Sequence, residues 1–277
     1  MYLKEFLHEF EEQRAFRRVE DHLKSDADGK ARAEFLGQFL SSVFQPIFEK
    51  HNQSLVTIGF EAFIRPVVND KNFSPRHYFE RLAEEDKSFA DLICRDLHLS
   101  NFIGAAQKNE FISINIVPQA LEEHVSSFEA LSAQLMKASG ALPTQNSVLV
   151  EIDITPELDA GVIYTFASQL KALGLGIALE NFDCDCASFS RIVHCKPDVV
   201  KFNRSWLDTN LRNDRYIEMV SGVVQGLHSL GAIAHLERIE TREELLFAIA
   251  AGFDRFQGFY LSNPDKDLKR SRKIIRF

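Results

Sequence analysis

Glu61, Asn115, Glu151, Glu180, Glu237 and Gln257 each lie within or at the end of a short run that is otherwise apolar and rich in β-branched residues. A carboxylate in such a place is costly unless it is paired or bound to a metal. One of them alone would read as a hydrogen-bonded core carboxylate, but six ask for a common cause. In a closed barrel the carboxyl ends of the strands meet on one face, so residues far apart in sequence converge there and make a site.

The rest of the chain supports that geometry. Strand-like runs fall at Thr57 to Phe63, Phe111 to Ile116, Val148 to Ile152, Ile177 to Phe182, Val199 to Phe202, Ile233 to Glu237 and Arg255 to Leu261. Helical stretches at Phe79 to Gln107, Gly161 to Leu173, Asp214 to Leu230 and Arg242 to Ala251 separate them. Alternation of this kind predicts an α/β fold with mainly parallel strands. Ahead of it, Leu3, Phe6, Leu7, Phe10, Val19 and Leu23 recur at spacings that include three and four among many charges, which predicts an amphipathic helix ending near Ser25-Asp26-Ala27-Asp28-Gly29. Residues Ala31 to Leu40 resume a helical pattern and lead into Val43 to Phe48. The chain thus divides into an N-terminal amphipathic helical extension, 1–30, and a barrel domain, 31–277. The extension either packs on the barrel or serves as a dimer or partner contact.

Bulk properties exclude some functions. A chain of 277 residues, 45% hydrophobic, can bury the core of one large barrel. A formal net charge of −8 argues against a general DNA or RNA surface, which needs clustered excess Lys and Arg. No run approaches the roughly 18 apolar residues that crossing a bilayer requires, and MYLKEFLHEF at the start has no basic region leading into an apolar one. Four cysteines do not make a disulfide framework, so the expected compartment is the cytoplasm. Cys184, Cys186, His194 and Cys195 invite a zinc reading, but their spacing departs from Cys-x2-Cys, and free thiols on a loop stand beside it.

Seven motifs in order resemble the EAL family of cyclic di-GMP phosphodiesterases. Gln45-Pro46-Ile47 and Glu61-Ala62-Phe63-Ile64-Arg65 resemble its opening Gln-Pro-Ile strand and its signature Glu-Ala-Leu with a nearby arginine. Ile114-Asn115-Ile116-Val117-Pro118 is similar to the asparagine strand, and Glu151-Ile152-Asp153-Ile154 to the Glu-hydrophobic-Thr-Glu strand. Glu180-Asn181-Phe182-Asp183-Cys184-Asp185 stands where the family has Asp-Asp-Phe-Gly-Thr-Gly. Lys201-Phe202-Asn203, Glu237-Arg238-Ile239-Glu240-Thr241 and Gln257-Gly258-Phe259 resemble the Lys-Ile-Asp, Glu-Gly-Val-Glu-Thr and Gln-Gly-Tyr segments. The match runs from about Phe44 to Pro264.

The resemblance implies a (β/α)8 TIM-like barrel with one atypical strand direction, which binds cyclic di-GMP and opens one phosphodiester bond with Mg2+ or Mn2+. Hard cations take oxygen ligands, and by this resemblance those are Glu61, Asn115 and Glu151, with Glu180 and Asn181 at the positions of the family's paired aspartates. Lys201 would hold the attacking water and developing charge, assisted by Glu237 and Gln257. Gln45, Arg65 and Glu240 would meet the ligand, Arg65 at a phosphate. The departures carry their own expectation. Asn181 removes a charge, Ile154 removes the glutamate that anchors the loop, and Asp183 and Asp185 replace its glycines. The chain is therefore expected to be a catalytically impaired regulatory or cyclic di-GMP-binding domain with a protein partner or a second copy of itself. The alternatives are an active phosphodiesterase, with Asp183 or Asp185 as a replacement carboxylate, and a protein-only interaction domain.

Overall fold

Residues Gln38–His51 (β3) and Ser54–Val68 (β4) form a long antiparallel hairpin around Asn52, which takes φ 56°. The hairpin sets the architecture in this computed structural model, which describes residues 18–68, 71–116, 147–153, 160–183, 186–207 and 211–275. Beside β4, five strands follow in sequence order, each parallel to the last: β6 (Phe111–Asn115), β7 (Val148–Asp153), β8 (Gly176–Phe182), β9 (Val199–Phe202) and β10 (Ile233–Leu236). Parallel to β10 lies β11 (Arg255–Phe256), which pairs antiparallel with β3 and closes a barrel of eight. β3 is the one reversed stave, as the resemblance implied.

Helices α1 (Pro75–Glu80), α2 (Glu84–Ile103), α3 (Ala160–Ala172), α4 (Cys186–Cys195), α5 (Asp214–Ser229) and α6 (Arg242–Ala250) connect or cover the staves. The outward strand residues Ile114, Val150, Leu179, Val200 and Leu236 are buried in one cluster with Phe166, Val224 and Phe247 from the helices. Such parallel strands are buried on both faces, which is why they read as nearly continuous apolar runs. Inside the barrel Ile47, Phe111, Leu149, Ala178 and Val199 make a separate apolar layer beneath the polar rim. Gly59 is required there: a Cβ on it would lie 2.5 Å from the Phe111 ring.

Beyond Gln45 and Glu61 the β3–β4 hairpin rises past the barrel mouth. There β2 (Ala31–Phe35) extends it on one side, with β1 (Leu23–Ser25) beyond, and β5 (Lys71–Asn72) pairs with β4. Ala33, Phe35, Leu40 and Ile64 bury one face of this sheet against Ile93 and Leu97 of α2. The opposite face places Phe63 and Arg65, two residues apart on β4, over the mouth. At the other end of β4, β12 (Arg272–Ile274) adds an antiparallel edge.

The sequence reading needs correction in the N-terminal part. Ala31 to Leu40, expected helical, is β2 and the start of β3. The turn between them puts Leu36 at φ 50° and Gly37 at φ 72°, the paired left-handed geometry of a tight hairpin. Of the expected helix from residue 3 to 23, residues 3–17 lie outside the described ones, Val19–His22 is a single 3-10 turn, and Leu23–Ser25 is strand. The β1–β2 pairing spans the boundary expected at residue 30, so residues 23–35 act as one hairpin packed on the barrel's upper sheet. Two other elements are shorter than expected. The helix foreseen over Phe79 to Gln107 is broken between α1 and α2, and only Arg255–Phe256 of the last predicted strand is strand. Among the described residues no helix is long and apolar enough to cross a membrane.

Candidate functional site

Period-two alternation on parallel staves in register carries one set of side chains inward. Asn115 pairs with Glu151, Glu61 with Ser113 and Gln45 with Glu61, so their polar groups face one another across the mouth. At the centre is Lys201 of β9, fully buried. Its Nζ donates to Glu151 Oε1 at 2.6 Å, Glu180 Oε1 at 2.6 Å and Glu61 Oε2 at 3.2 Å, and it lies 2.5 Å from Glu237 Oε1. Four carboxylates against one ammonium leave a surplus of negative charge in a dry place.

The surrounding amides hold this cluster in position. Asn115 Nδ2 donates to Glu61 Oε1 at 3.0 Å, and Gln257 Nε2 donates to Glu61 Oε2 at 2.8 Å and to Gln45 Oε1 at 3.0 Å. Gln45 in turn donates to the Ser262 carbonyl at 2.9 Å, and Ser113 Oγ donates to Glu151. All of these partners except Ser262 are on barrel staves or directly after one.

The electrostatics follow from burial and crowding. Burial pushes Glu151 well above the ordinary carboxylate range, Glu61 adds to the effect, and Lys201 only partly opposes it. Burial also raises Glu237, which reaches about 8 with Glu180 and Glu61 nearby although Lys201 pulls the other way. Burial likewise acts to raise Glu180, but the Lys201 ammonium and a hydrogen bond from Glu151 outweigh it and hold that carboxyl below its usual value. For Lys201 burial alone would lower the pKa, and the four carboxylates instead raise it well above the lysine range. Glu237, raised to about 8, holds a proton at neutral pH, Glu151 is pushed in the same direction, and arriving positive charge would favour release of protons from the cluster.

Oxygen donors of Glu61, Glu151 and Glu180 lie within 4.8 Å of one another, and three hard carboxylate donors so placed fit one divalent cation, with the Asn115 side chain beside Glu61. A second such place is not evident among the described residues, because Asn181 offers no carboxylate and its Nδ2 donates to Asp153 Oδ1 at 2.7 Å. Asn181 sits at φ 57°, in the left-handed region that asparagine tolerates better than most residues. The extra methylene of Glu180 carries its carboxylate onto Lys201. Asp183, the potential replacement ligand, is exposed and accepts from Asn203 Nδ2 at 3.0 Å, while Asp185 and Ile154 lie outside the described residues.

Cation binding should therefore release protons. Glu237 has a folded-state pKa of about 8 against an ordinary 4.5, so the metal-free protein binds more protons folded than unfolded between those values. Its stability is expected to fall as pH rises through that window. Adding Mg2+ or Mn2+ at pH 7 should reverse the loss and acidify a weakly buffered solution. Calorimetry in two buffers of different ionisation enthalpy measures the protons released, and identical heats in both would contradict this charge assignment.

The mouth opens into a pocket of about 380 Å³. Every residue expected at the site reaches the cluster or this pocket, but not on equal terms. Arg65 lines the wall, with its guanidinium donating to the Ile64 carbonyl at 2.9 Å and lying 6.0 Å from the Phe63 ring centroid. Glu240 is at the rim and is held by Arg204 at 3.1 Å. Sequence reasoning missed Ser113, His235, Arg238 and Pro264. Ser113 and His235 stand two residues before Asn115 and Glu237, so the same alternation could have found them. His235, in register with Lys201, is buried and held neutral, its pKa driven well down by burial and then by the charges of Lys201 and Arg255. The thiols foreseen as a zinc alternative form no described cluster: Cys195 is buried on α4, His194 Nδ1 donates to the Ser190 carbonyl at 2.6 Å, and Cys184 is outside the described residues.

Comparison with known proteins finds a match to the family profile described as EAL domain over residues 30–264. An uncharacterized signaling protein of Caulobacter vibrioides is 26% identical over 212 residues, covering 74% of this chain and 25% of that protein. Among solved structures, the Bacillus subtilis YkuI protein, with an EAL domain and in complex with substrate c-di-GMP and calcium, has a TM-score of 0.68 at 22% identity, covering 83% of this chain and 56% of that one. Klebsiella pneumoniae BlrP1 in a manganese and cy-diGMP complex has a TM-score of 0.71 at 22% identity, covering 92% and 62%. This chain spans less than two thirds of the length of each of these three proteins.

Proposed function

The chain belongs to the EAL domain family, and from that premise we propose that it binds cyclic di-GMP with a single divalent cation, as a regulatory domain whose hydrolytic activity is absent or very weak. The observation that carries this reading is the Asn181 amide held by Asp153 at 2.7 Å, where a second cation would need a carboxylate. Glu61, Glu151 and Glu180, with Asn115, would hold the one cation. Bound there, it would polarise a phosphodiester oxygen and make a nearby water more acidic. In-line hydrolysis gains most from two cations that stabilise both the attacking and the leaving oxygens, and this donor set supports one.

The remaining residues have roles that fit binding. Arg65, half-buried and with its pKa lowered by burial alone, offers guanidinium donors to a phosphate from the wall of the pocket. Gln45 and Gln257 form an amide chain that fixes Glu61. Lys201 is enclosed by carboxylates, so it becomes available to a ligand only as a cation draws those carboxylates away. Convergence of Glu61, Asn115, Glu151, Lys201, Glu237 and Gln257 favours a slow phosphodiesterase as the second reading. Titration calorimetry with cyclic di-GMP, with and without Mg2+ or Mn2+, together with chromatography of the products, separates the readings. Heat without product is the expected result. Robust turnover to the linear dinucleotide rejects it, and neither heat nor product leaves a protein-only interaction domain.

A further inference from the structure

Arg238 is a charge that the family pattern does not supply. It follows Glu237 where the family's Glu-Gly-Val-Glu-Thr segment has glycine, and its backbone has the conformation that glycine favours, φ 56°. An arginine there carries a conformational cost, and such costs persist only where the surroundings fix the backbone. Here they do: Arg204 Nη1 donates to the Arg238 carbonyl at 3.1 Å, Ile239 N donates to the Gln257 carbonyl at 3.0 Å, and Tyr260 N donates to the Ile239 carbonyl at 3.0 Å. Gly258 passes so close that a Cβ on it would lie 2.1 Å from the Ile239 carbonyl oxygen.

The side chain so presented is exposed and lines the pocket together with Glu180 and Asn181. Its positive charge helps to keep the Glu180 carboxyl ionised. Among the described residues no hydrogen bond or ion pair occupies the guanidinium, whereas Arg204 beside it is committed to Glu240 and Glu244. The pocket has thus lost a cation-holding carboxylate at Asn181 and gained a fixed cation on the wall that Asn181 shares.

We propose that Arg238 is a phosphate-binding residue of this pocket, whose guanidinium takes a phosphodiester oxygen of the ligand and supplies positive charge that a second divalent cation would otherwise provide. This inference rests on the reading of the pocket as a cyclic di-GMP site. Its consequence is that binding depends less on added metal than a two-cation site would. A guanidinium suits the task because its planar fork donates two parallel hydrogen bonds to paired oxygens and stays charged at every working pH.

The test is titration calorimetry with cyclic di-GMP on the whole chain, in excess chelator and in Mg2+, for the wild type, Arg238→Ala, Arg238→Lys and Arg238→Gly. Loss of one charge-assisted contact should weaken binding about ten- to a hundredfold in Arg238→Ala, with the larger factor in chelator, and Arg238→Lys should recover part of it. Arg238→Gly should bind as weakly as the alanine variant while its Tm rises by about 2 °C, since glycine removes the left-handed cost. Opposite signs for affinity and stability are not produced by a merely structural arginine. Wild-type binding that Arg238→Ala leaves unchanged overturns this inference alone. A wild type that binds no cyclic di-GMP in either condition overturns the inference together with the reading on which it rests.

Discussion

Replacing Lys201 with methionine should cost about 3–5 kcal/mol of stability in metal-free protein near pH 8, because it leaves buried carboxylates with no cation among them. Methionine fills nearly the same volume, so the loss would not come from a cavity. Glu61, Glu151, Glu180 and Glu237 all lie within 3.2 Å of the Lys201 ammonium, and its own exposure is zero. Without it the four groups can lower their mutual repulsion only by taking up protons. Glu151 and Glu237 are already poised to do so, being raised by burial. The penalty should therefore shrink as pH falls towards 5, where protonation replaces the missing ammonium. Mg2+ should restore part of the stability at pH 8 by occupying the carboxylates left facing one another. Urea denaturation of both proteins at pH 5 and pH 8, each with chelator and with Mg2+, gives the four comparisons. A variant as stable as the wild type at pH 8 in chelator would show that the buried charges balance by some route other than Lys201.

Most of this site could be read from the sequence because strand alternation fixes direction. Once a run is known to be a stave, a polar residue two positions from another must share its face, and parallel register then sets both opposite a neighbour. The polar residues in and at the ends of otherwise apolar strand runs put Glu61, Asn115, Glu151, Glu180, Glu237 and Gln257 on one face, whereas Lys201 is legible only through the family resemblance. It failed where direction is set by a single backbone angle. Nothing in Asp153 or Asn181 taken alone says that the two side chains meet; the meeting depends on Asn181 adopting φ 57° at the end of β8. The hairpin at 31–40 was misread for a related reason. Leu36 adopts a left-handed conformation that leucine rarely takes, so the turn lacked the usual Asn-Gly signal, and Ala31 to Phe35 showed helix-forming residues instead of β-branched ones. Tertiary burial of Ala33 and Phe35 against α2 prevails over that local preference.

The Asp153–Asn181 pair also explains why restoring an aspartate alone should not restore a second cation site. In the wild type the Asn181 amide donates to Asp153, a carboxyl that burial raises and this hydrogen bond lowers. Asn181→Asp would replace the donor with a second carboxylate at hydrogen-bond distance from the first. In chelator the change should cost about 2 kcal/mol, the loss of a hydrogen bond to a charged group, unless one carboxyl takes up a proton. The exchange Asp153→Asn with Asn181→Asp returns one amide and one carboxylate to the pair, but with the charge on the pocket-lining position. Its stability in chelator should come back to within about 0.5 kcal/mol of the wild type, a coupling that a double-mutant cycle isolates. Its Mn2+ stoichiometry should rise from one to two, and hydrolysis of cyclic di-GMP should rise with it, because only then can both oxygens of the breaking bond be stabilised. Calorimetric Mn2+ titration of the four proteins decides the matter. Two cations already bound by the wild type, or one still bound by the exchanged pair, would mean that Asn181 is not what limits the metal site.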